Sequence, residues 1–274
     1  MKKLPDNISK ELINFYRTSK QYGRRLDFHG ENAYQEYVSF VKRFVSRKDR
    51  LLDLGCGTGL STFMLGQLVK EARGVDISPI FINMANEKRK AKNVEFECTD
   101  IVRLPIPDES YDVVSSFLTI EHVYDVAAAL SEMTRVVKKG GLIIILSPNL
   151  LSPFAEMYKL KNAIFRKEKK SPLERIRDSG NSAYLAAYKA WLLLVKDLRH
   201  REDFIYSEPV LEDIFDAAPD DDAVYLANPV DLKYWFVRNK LDVIKYQRET
   251  WWGRIFPSFA TGIHIVARKP YGIS

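Results

Sequence analysis

Hydrophobic and polar positions follow two periods along the first half of the chain. Short apolar runs, typical of buried strands, alternate with longer segments in which apolar residues recur at helical spacing. The predicted strands are 50–55, 72–77, 94–98, 111–118 and 142–147, and the predicted helices are 8–22, 31–45, 58–70, 78–90 and 126–137. Serial strand–helix units predict an α/β fold with a doubly wound, mostly parallel sheet covered by helices on both faces.

This alternation stops after the fifth predicted strand. Residues 151–223 carry no clear strand pattern, and 183–198 predict a helix that is apolar on nearly every side. A helix is predicted at 229–240, followed by strands at 241–248 and 261–268 that are close enough in sequence to pair as an antiparallel hairpin. We therefore predict one domain over 1–274 with a seven-stranded sheet and a helical insertion at 151–223.

Residues 51–59, Leu-Leu-Asp-Leu-Gly-Cys-Gly-Thr-Gly, join the first strand to the next helix through a G-x-G-x-G turn. Glycine lets such a turn adopt unusual backbone angles and lets a ligand approach the backbone closely. The first N–H groups of the helix suit an anionic ligand group. A dehydrogenase fingerprint, G-x-G-x-x-G, would need glycine where this chain has Leu60, so the spacing disfavours that class.

Aspartates lie in or directly after the first three predicted strands, at Asp53, Asp76 and Asp100. Ligands bind at the carboxyl edge of such a sheet, and a carboxylate there can accept hydrogen bonds from both hydroxyls of a ribose. Each aspartate alone could equally be a helix cap or a turn residue. Three at consecutive strand ends indicate a nucleoside site.

Taken together, these segments resemble the class I S-adenosylmethionine-dependent methyltransferases, of the small-molecule type often called type 11. The resembling motifs are the glycine turn 53–59, the stretch 104–114, Ile-Glu-His-Val at 120–123 and the helix and turn at 135–141. The resemblance implies a Rossmann-like fold with an antiparallel last strand and S-adenosyl-L-methionine as cofactor, released as S-adenosyl-L-homocysteine. It assigns the following residues to the cofactor: Asp53, Gly55, Cys56, Gly57, Gly59, Asp76, Ile77, Asp100, Ile101, Phe117 and Leu118.

The N-terminal segment 1–45 corresponds to the lid over the cofactor in resembling enzymes. There Tyr22 is expected to touch the cofactor, and Arg24 to reach its carboxylate through a charge-assisted bond. An equal alternative is that both residues belong to a simple linker.

For catalysis, the resemblance requires alignment of an acceptor and exclusion of water rather than a covalent nucleophile. His122, just past the fourth strand, is our candidate general base for a hydroxyl acceptor, and a loop-orienting histidine is the alternative. Glu121 and His122 could contribute to a metal site, but Leu118 offers no third ligand. We therefore predict that no metal is bound.

The insertion leaves the sheet at its carboxyl edge, so we expect it to form the acceptor pocket or a cap. Aromatic residues that could line this pocket are Tyr158, Tyr184, Tyr188 and Trp191. The apolar stretch 183–195 admits three roles, which are covering the core, forming a homodimer face, or resting on a membrane surface to reach a lipid-linked acceptor.

The charge distribution and the motif after strand four bear on whether the acceptor is a nucleic acid. The net charge is +6, and residues 157–203 hold twelve Lys and Arg against six Asp and Glu. A solvated face next to the acidic stretch 204–222 explains this surplus at least as well as a polyanion. Methyltransferases that act on the exocyclic amino groups of bases carry Asn/Asp-Pro-Pro-aromatic after strand four, where this chain has Ser-Phe-Leu-Thr at 116–119. A small-molecule or lipid-linked acceptor is therefore favoured, with a nucleic-acid methyltransferase and a non-catalytic cofactor-binding module as alternatives.

Cysteine content and apolar runs bear on location. Cys56 and Cys98 cannot build a disulfide framework, which favours a reducing, cytoplasmic setting. The N-terminus carries no signal-peptide pattern, and the longest apolar runs are too short to cross a bilayer. We expect a cytoplasmic protein, peripheral to the membrane if 183–195 rests on it.

Overall fold

The computed structural model describes residues 4–19, 30–157, 172–211, 222–247 and 256–271. The helices are α1 (Asp6–Thr18), α2 (Gly30–Val41), α3 (Leu60–Gly66), α4 (Pro79–Lys88), α5 (Val126–Val136), α6 (Pro172–Arg199) and α7 (Pro229–Arg238), with short 3-10 helices at Ile120–His122 and Pro257–Phe259. The strands are β1 (Arg50–Leu54), β2 (Glu71–Asp76), β3 (Val94–Cys98), β4 (Tyr111–Phe117), β5 (Val137–Pro148), β6 (Asp242–Tyr246) and β7 (Gly262–Arg268).

The strands form one seven-stranded sheet in the order β3-β2-β1-β4-β5-β7-β6. Strands β1 to β5 pair in parallel, and β7 is antiparallel to both β5 and β6. The predicted doubly wound sheet with an antiparallel last strand is therefore confirmed. The strand order reverses between β1 and β4, which is the point where sheets of this kind bind ligands.

Alternating residues of each central strand are buried against opposite helical layers. In β1, Leu51 packs on the face covered by α2 and α3, whereas Leu52 packs on the face covered by α5 and α7. In β4, Val113 packs on the same face as Leu51, and Val114 packs on the same face as Leu52. Burial on both faces explains why these strands read as continuous apolar runs.

Strand β5 begins earlier than the sequence predicts. Residues 138–141, which separate the predicted helix 126–137 from the predicted strand 142–147, lie inside β5. Val137 already pairs with Tyr111, and α5 runs directly into β5. Gly140 adopts a φ of +79° and donates its N–H to the carbonyl of Lys269 at 2.7 Å. Gly140 thus makes a local irregularity within β5, and its N–H is still hydrogen-bonded to the residue that follows β7. It does not form a turn that ends the helix.

Helix α6 includes the predicted helix 183–198 but is longer and is not buried all round. Leu193 is fully buried against Val230 and Tyr234 of α7. Lys196 donates to the fully buried carboxylate of Asp231 at 2.8 Å. None of the helices in the described ranges is long and apolar enough to cross a membrane.

Candidate active site

The glycine turn after β1 brings backbone N–H groups to the carboxyl edge of the sheet. Gly57 has a φ of +52° and donates its N–H to Asp76 Oδ2 at 2.9 Å. Gly59 has a φ of +80° and forms the N-cap of α3, where a Cβ would lie 2.6 Å from the Phe96 ring. Side chains at either position would strain the backbone, so the turn is shaped by its glycines.

Asp76 ends β2 directly beside this turn. Its Oδ2 accepts from Gly57 and its Oδ1 accepts from the Ser78 N–H at 2.9 Å. Burial raises the pKa of this carboxyl to about 6, although the backbone N–H groups favour the ionised form. Each oxygen has further acceptor capacity. The side chain is therefore fixed in place and can still accept hydrogen bonds from two ligand hydroxyls.

Asp100, after β3, is fixed by two donors of its own. Its Oδ2 accepts from the Tyr124 hydroxyl at 2.7 Å, and its Oδ1 accepts from the Val102 N–H at 3.1 Å. Burial and the neighbouring carboxylate raise the pKa of Tyr124 well above its usual value, so the phenol remains a donor.

A cavity of about 260 Å³ opens between this sheet edge and α1. It gathers ten of the residues predicted from the sequence: Gly55, Cys56, Gly57, Asp76, Ile77, Asp100, Ile101, Phe117, Leu118 and His122. The structure thus brings the glycine turn, two aspartates and the histidine to one pocket.

Asp53 lies elsewhere. It is 1% exposed and does not line the cavity. Its carboxylate accepts from four hydroxyls, listed here with their distances: Tyr37 at 3.2 Å, Ser61 at 2.8 Å, Thr62 at 2.7 Å and Ser115 at 3.1 Å. It ties α2, α3 and β4 to β1 beneath the glycine turn, and desolvation raises its pKa. These contacts give Asp53 a role in the core beneath the cavity, and its contact with a ligand stays a prediction.

Among the described residues, Gly59 is also absent from the cavity wall. Gly59 packs against Phe96 instead, so its contribution is to the shape of the turn. Tyr22 and Arg24, predicted to touch the ligand, lie outside the described residues.

The described aromatics of the insertion do not line this cavity, and their role in an acceptor pocket stays a prediction. Tyr184, Tyr188 and Trp191 are 69%, 46% and 57% exposed and stack on one another along α6. Their spacing places them on the side of α6 opposite the buried Leu193, which a pattern apolar in every direction could not reveal. Tyr158 lies outside the described residues.

His122 lies in the 3-10 helix after β4, between two carboxylates. Its Nδ1 is 3.2 Å from Asp222 Oδ2, and its Nε2 is 3.9 Å from Oε1 of the fully buried Glu121. The Tyr16 hydroxyl of α1 donates to the same Asp222 oxygen at 2.8 Å. Burial raises the pKa of Asp222, but His122 and Tyr16 outweigh burial and hold that pKa well below its usual range.

Several residues of the cavity wall were missed by the sequence reasoning. Helix α1 contributes Leu12, Ile13 and Tyr16, and α2 contributes Tyr34. The i, i+4 spacing of Leu12 and Tyr16 indicated an apolar helix face, but nothing local showed which part of the sheet it would cover. In the described part of the chain, no group of three or more His, Cys, Asp or Glu side chains is arranged to hold a metal ion.

Comparisons with known proteins show what the chain is similar to. A family model described as a methyltransferase domain matches residues 52–145. An uncharacterized methyltransferase of Schizosaccharomyces pombe is 34% identical over 156 residues, covering 53% of this chain and 56% of that protein. A demethylmenaquinone methyltransferase of Staphylococcus aureus is 32% identical over 171 residues, covering 57% of this chain and 70% of that protein. The match to the yeast relative thus spans little more than half of its length.

Two solved structures support the fold alone. A SAM dependent methyltransferase from Aquifex aeolicus aligns with a TM-score of 0.53 at 14% identity, covering 90% of this chain and 97% of that one. An S-adenosylmethionine dependent methyltransferase from Mesorhizobium loti aligns with a TM-score of 0.51 at 14% identity, covering 85% and 97%.

Proposed function

Because the chain belongs to the class I S-adenosylmethionine-dependent methyltransferases, we propose that it transfers the methyl group of this cofactor to a small-molecule acceptor, lipid-linked acceptors included. The observation that carries the proposal is the single cavity in which the glycine turn, Asp76, Asp100 and His122 meet. The acceptor class draws support from the Staphylococcus aureus relative, whose name gives demethylmenaquinone, a small molecule, as its substrate.

The residues present fit the cofactor in charge and shape. Asp76 would accept the two ribose hydroxyls, since its oxygens keep acceptor capacity beyond Gly57 and Ser78. Ile77 and Ile101 offer an apolar surface for the adenine, with Asp100 at its edge. The glycine turn would hold the amino-acid end. When bound, S-adenosylmethionine supplies a methyl group already activated by its sulfonium.

In the proposed reaction, the protein positions the acceptor, excludes water and removes a proton. The cavity wall of α1 covers the sheet edge with Leu12 and Ile13, which limits access of water. His122 would take the proton of a hydroxyl acceptor as general base, a contribution typically worth about 10²–10⁴-fold in rate.

The decisive experiment is a screen of small hydroxyl, amine and quinol acceptors that measures release of S-adenosylhomocysteine. The proposal expects turnover with at least one acceptor, and a loss of at least about tenfold in His122→Gln if the acceptor is a hydroxyl. Asp242→Ala, at an exposed position of β6, is the matched control. Cofactor binding without turnover in the screen or in a cell extract would instead favour a non-catalytic module. A salt-sensitive gel shift with turnover on nucleic acid would favour the nucleic-acid alternative.

The predicted contact of 183–195 with a membrane surface or a second copy of the chain stays a prediction. Co-sedimentation with anionic vesicles tests the first, and size-exclusion chromatography tests the second.

A further inference from the structure

A residue far away in the sequence completes the surroundings of His122. Asp222 lies at the end of the insertion 151–223, a hundred positions after the histidine. Two hydrogen bonds just after Asp222 hold it beside His122. The N–H groups of Val224 and Tyr225 donate to the carbonyl of Glu121 at 2.9 Å each. The insertion therefore returns to the sheet edge at the residues that carry the candidate base.

Three polar atoms meet at this point. The Tyr16 hydroxyl oxygen, Asp222 Oδ2 and His122 Nδ1 are separated by 2.8 Å, 3.2 Å and 3.2 Å. An ionised carboxylate can only accept, a phenol carries one proton, and a neutral imidazole carries one proton on one of its two nitrogens. The arrangement satisfies all three groups when both the phenol and Nδ1 donate to the carboxylate.

The alternative arrangement is unfavourable for electrostatic reasons. If Nδ1 carried a lone pair, it would face the Asp222 oxygen at 3.2 Å, and Asp222 is 3% exposed, so water would screen the repulsion weakly. The carboxylate therefore selects the Nδ1–H tautomer.

From these contacts we infer that Asp222, supported by Tyr16, is a positioning residue that holds His122 in the Nδ1–H form and so makes Nε2 the nitrogen that takes the acceptor's proton. The role in catalysis rests on the proposed function, since it requires His122 to be the base. In the step, the acceptor oxygen would bond to the methyl carbon as the sulfonium–methyl bond breaks and S-adenosylhomocysteine leaves. Nε2 would take the hydroxyl proton, and the imidazolium would be left between two carboxylates.

Among the described residues, charged and titratable groups approach the ring from three parts of the structure. Asp222 approaches Nδ1, Tyr16 approaches from α1, and Glu121 lies 3.9 Å from Nε2. The two carboxylates favour the protonated ring, whereas the neutral phenol acts through Asp222. Removing the Asp222 charge should therefore lower the pH at which His122 titrates.

Nitrogen NMR of the histidine side chains tests the inference without any acceptor. The chain has four histidines, and the His122 signals are those lost in His122→Gln. With S-adenosylhomocysteine bound, we expect the neutral ring to carry its proton on Nδ1. We expect Asp222→Asn to lower the titration midpoint by about one pH unit or more. In Asp222→Ala, which removes the acceptor, we expect a mixture of tautomers.

Two controls keep the result decisive. Asp242→Asn removes an exposed carboxylate on β6 and should leave the His122 titration in place. Tyr16→Phe keeps the carboxylate, so Nδ1–H should persist, and this variant decides the question if Asp222→Ala does not fold. An Nε2–H tautomer in the unsubstituted protein, loss of Nδ1–H in Tyr16→Phe, or an unchanged midpoint in Asp222→Asn would overturn the inference.

The His122→Gln variant separates a failure of this inference from a failure of the proposed function. If His122→Gln releases S-adenosylhomocysteine at the full rate with every active acceptor, the general base fails, and the catalytic role of Asp222 falls with it. The NMR result would then still report whether Asp222 sets the tautomer.

Discussion

Replacing Asp76 by alanine tests the cofactor site most directly. In the proposed complex its carboxylate accepts two ribose hydroxyls while it also fixes Gly57 and Ser78. Hydrogen bonds to a charged acceptor contribute about 1.5–3 kcal/mol each, but water replaces part of this when the site is open. We expect Asp76→Ala to weaken S-adenosylmethionine binding by about 1–3 kcal/mol, or roughly 5- to 150-fold.

The pH dependence of cofactor affinity tests the role of Asp76 independently. Burial raises the pKa of Asp76 to about 6 in the free protein, and donated ribose hydroxyls would favour the ionised carboxylate. Affinity should therefore be full above pH 6 and decline as the pH falls through about 6. In Asp76→Asn, which cannot ionise, this decline should disappear.

Isothermal titration calorimetry with S-adenosylmethionine and with S-adenosylhomocysteine, from pH 5 to pH 8, measures both effects. Asp242→Ala, on the far edge strand, controls for the loss of an aspartate. Unchanged affinity in Asp76→Ala would mean that the ribose lies elsewhere. Binding of NAD with equal strength would refute the whole assignment of the cavity.

The remaining predictions concern stability, each measured by urea unfolding. Asp53→Ala leaves four buried hydroxyls without their acceptor and should lower the free energy of unfolding by about 3 kcal/mol; a loss below 1 kcal/mol would show that the core rearranges. Lys196→Met removes the cation paired with the buried Asp231 carboxylate and should lower the free energy of unfolding by about 3–5 kcal/mol. Truncation of the exposed Trp191 should lower it far less. Because the pKa of Asp222 is lowered by folding, its contribution exists above the unfolded pKa, near 4, and disappears as the pH falls through the folded value. The gap in stability between the unsubstituted protein and Asp222→Asn should therefore shrink below about pH 4, and a constant gap would contradict this reasoning.

Much of the site was predictable because it follows from local chain order. Asp76 ends β2, and Gly57 and Asp100 follow β1 and β3 within three residues. Parallel strands place their carboxyl ends at one edge of the sheet. Once the strands were recognised, the meeting of these residues followed. The same reasoning did not reveal the four hydroxyls that Asp53 binds, because the direction of a strand does not show what surrounds a side chain in the core.

The sequence by itself determined the α/β class, the strand succession and the edge where the ligand residues gather, since periodicity and turn chemistry are local properties. Only the tertiary structure decided which distant groups reach that edge. Tyr16 and Asp222 meet His122 across separations of 106 and 100 positions. The exposed side of α6 was likewise set by its packing on α7. Such contacts depend on how whole layers pack, and no short-range pattern encodes that arrangement.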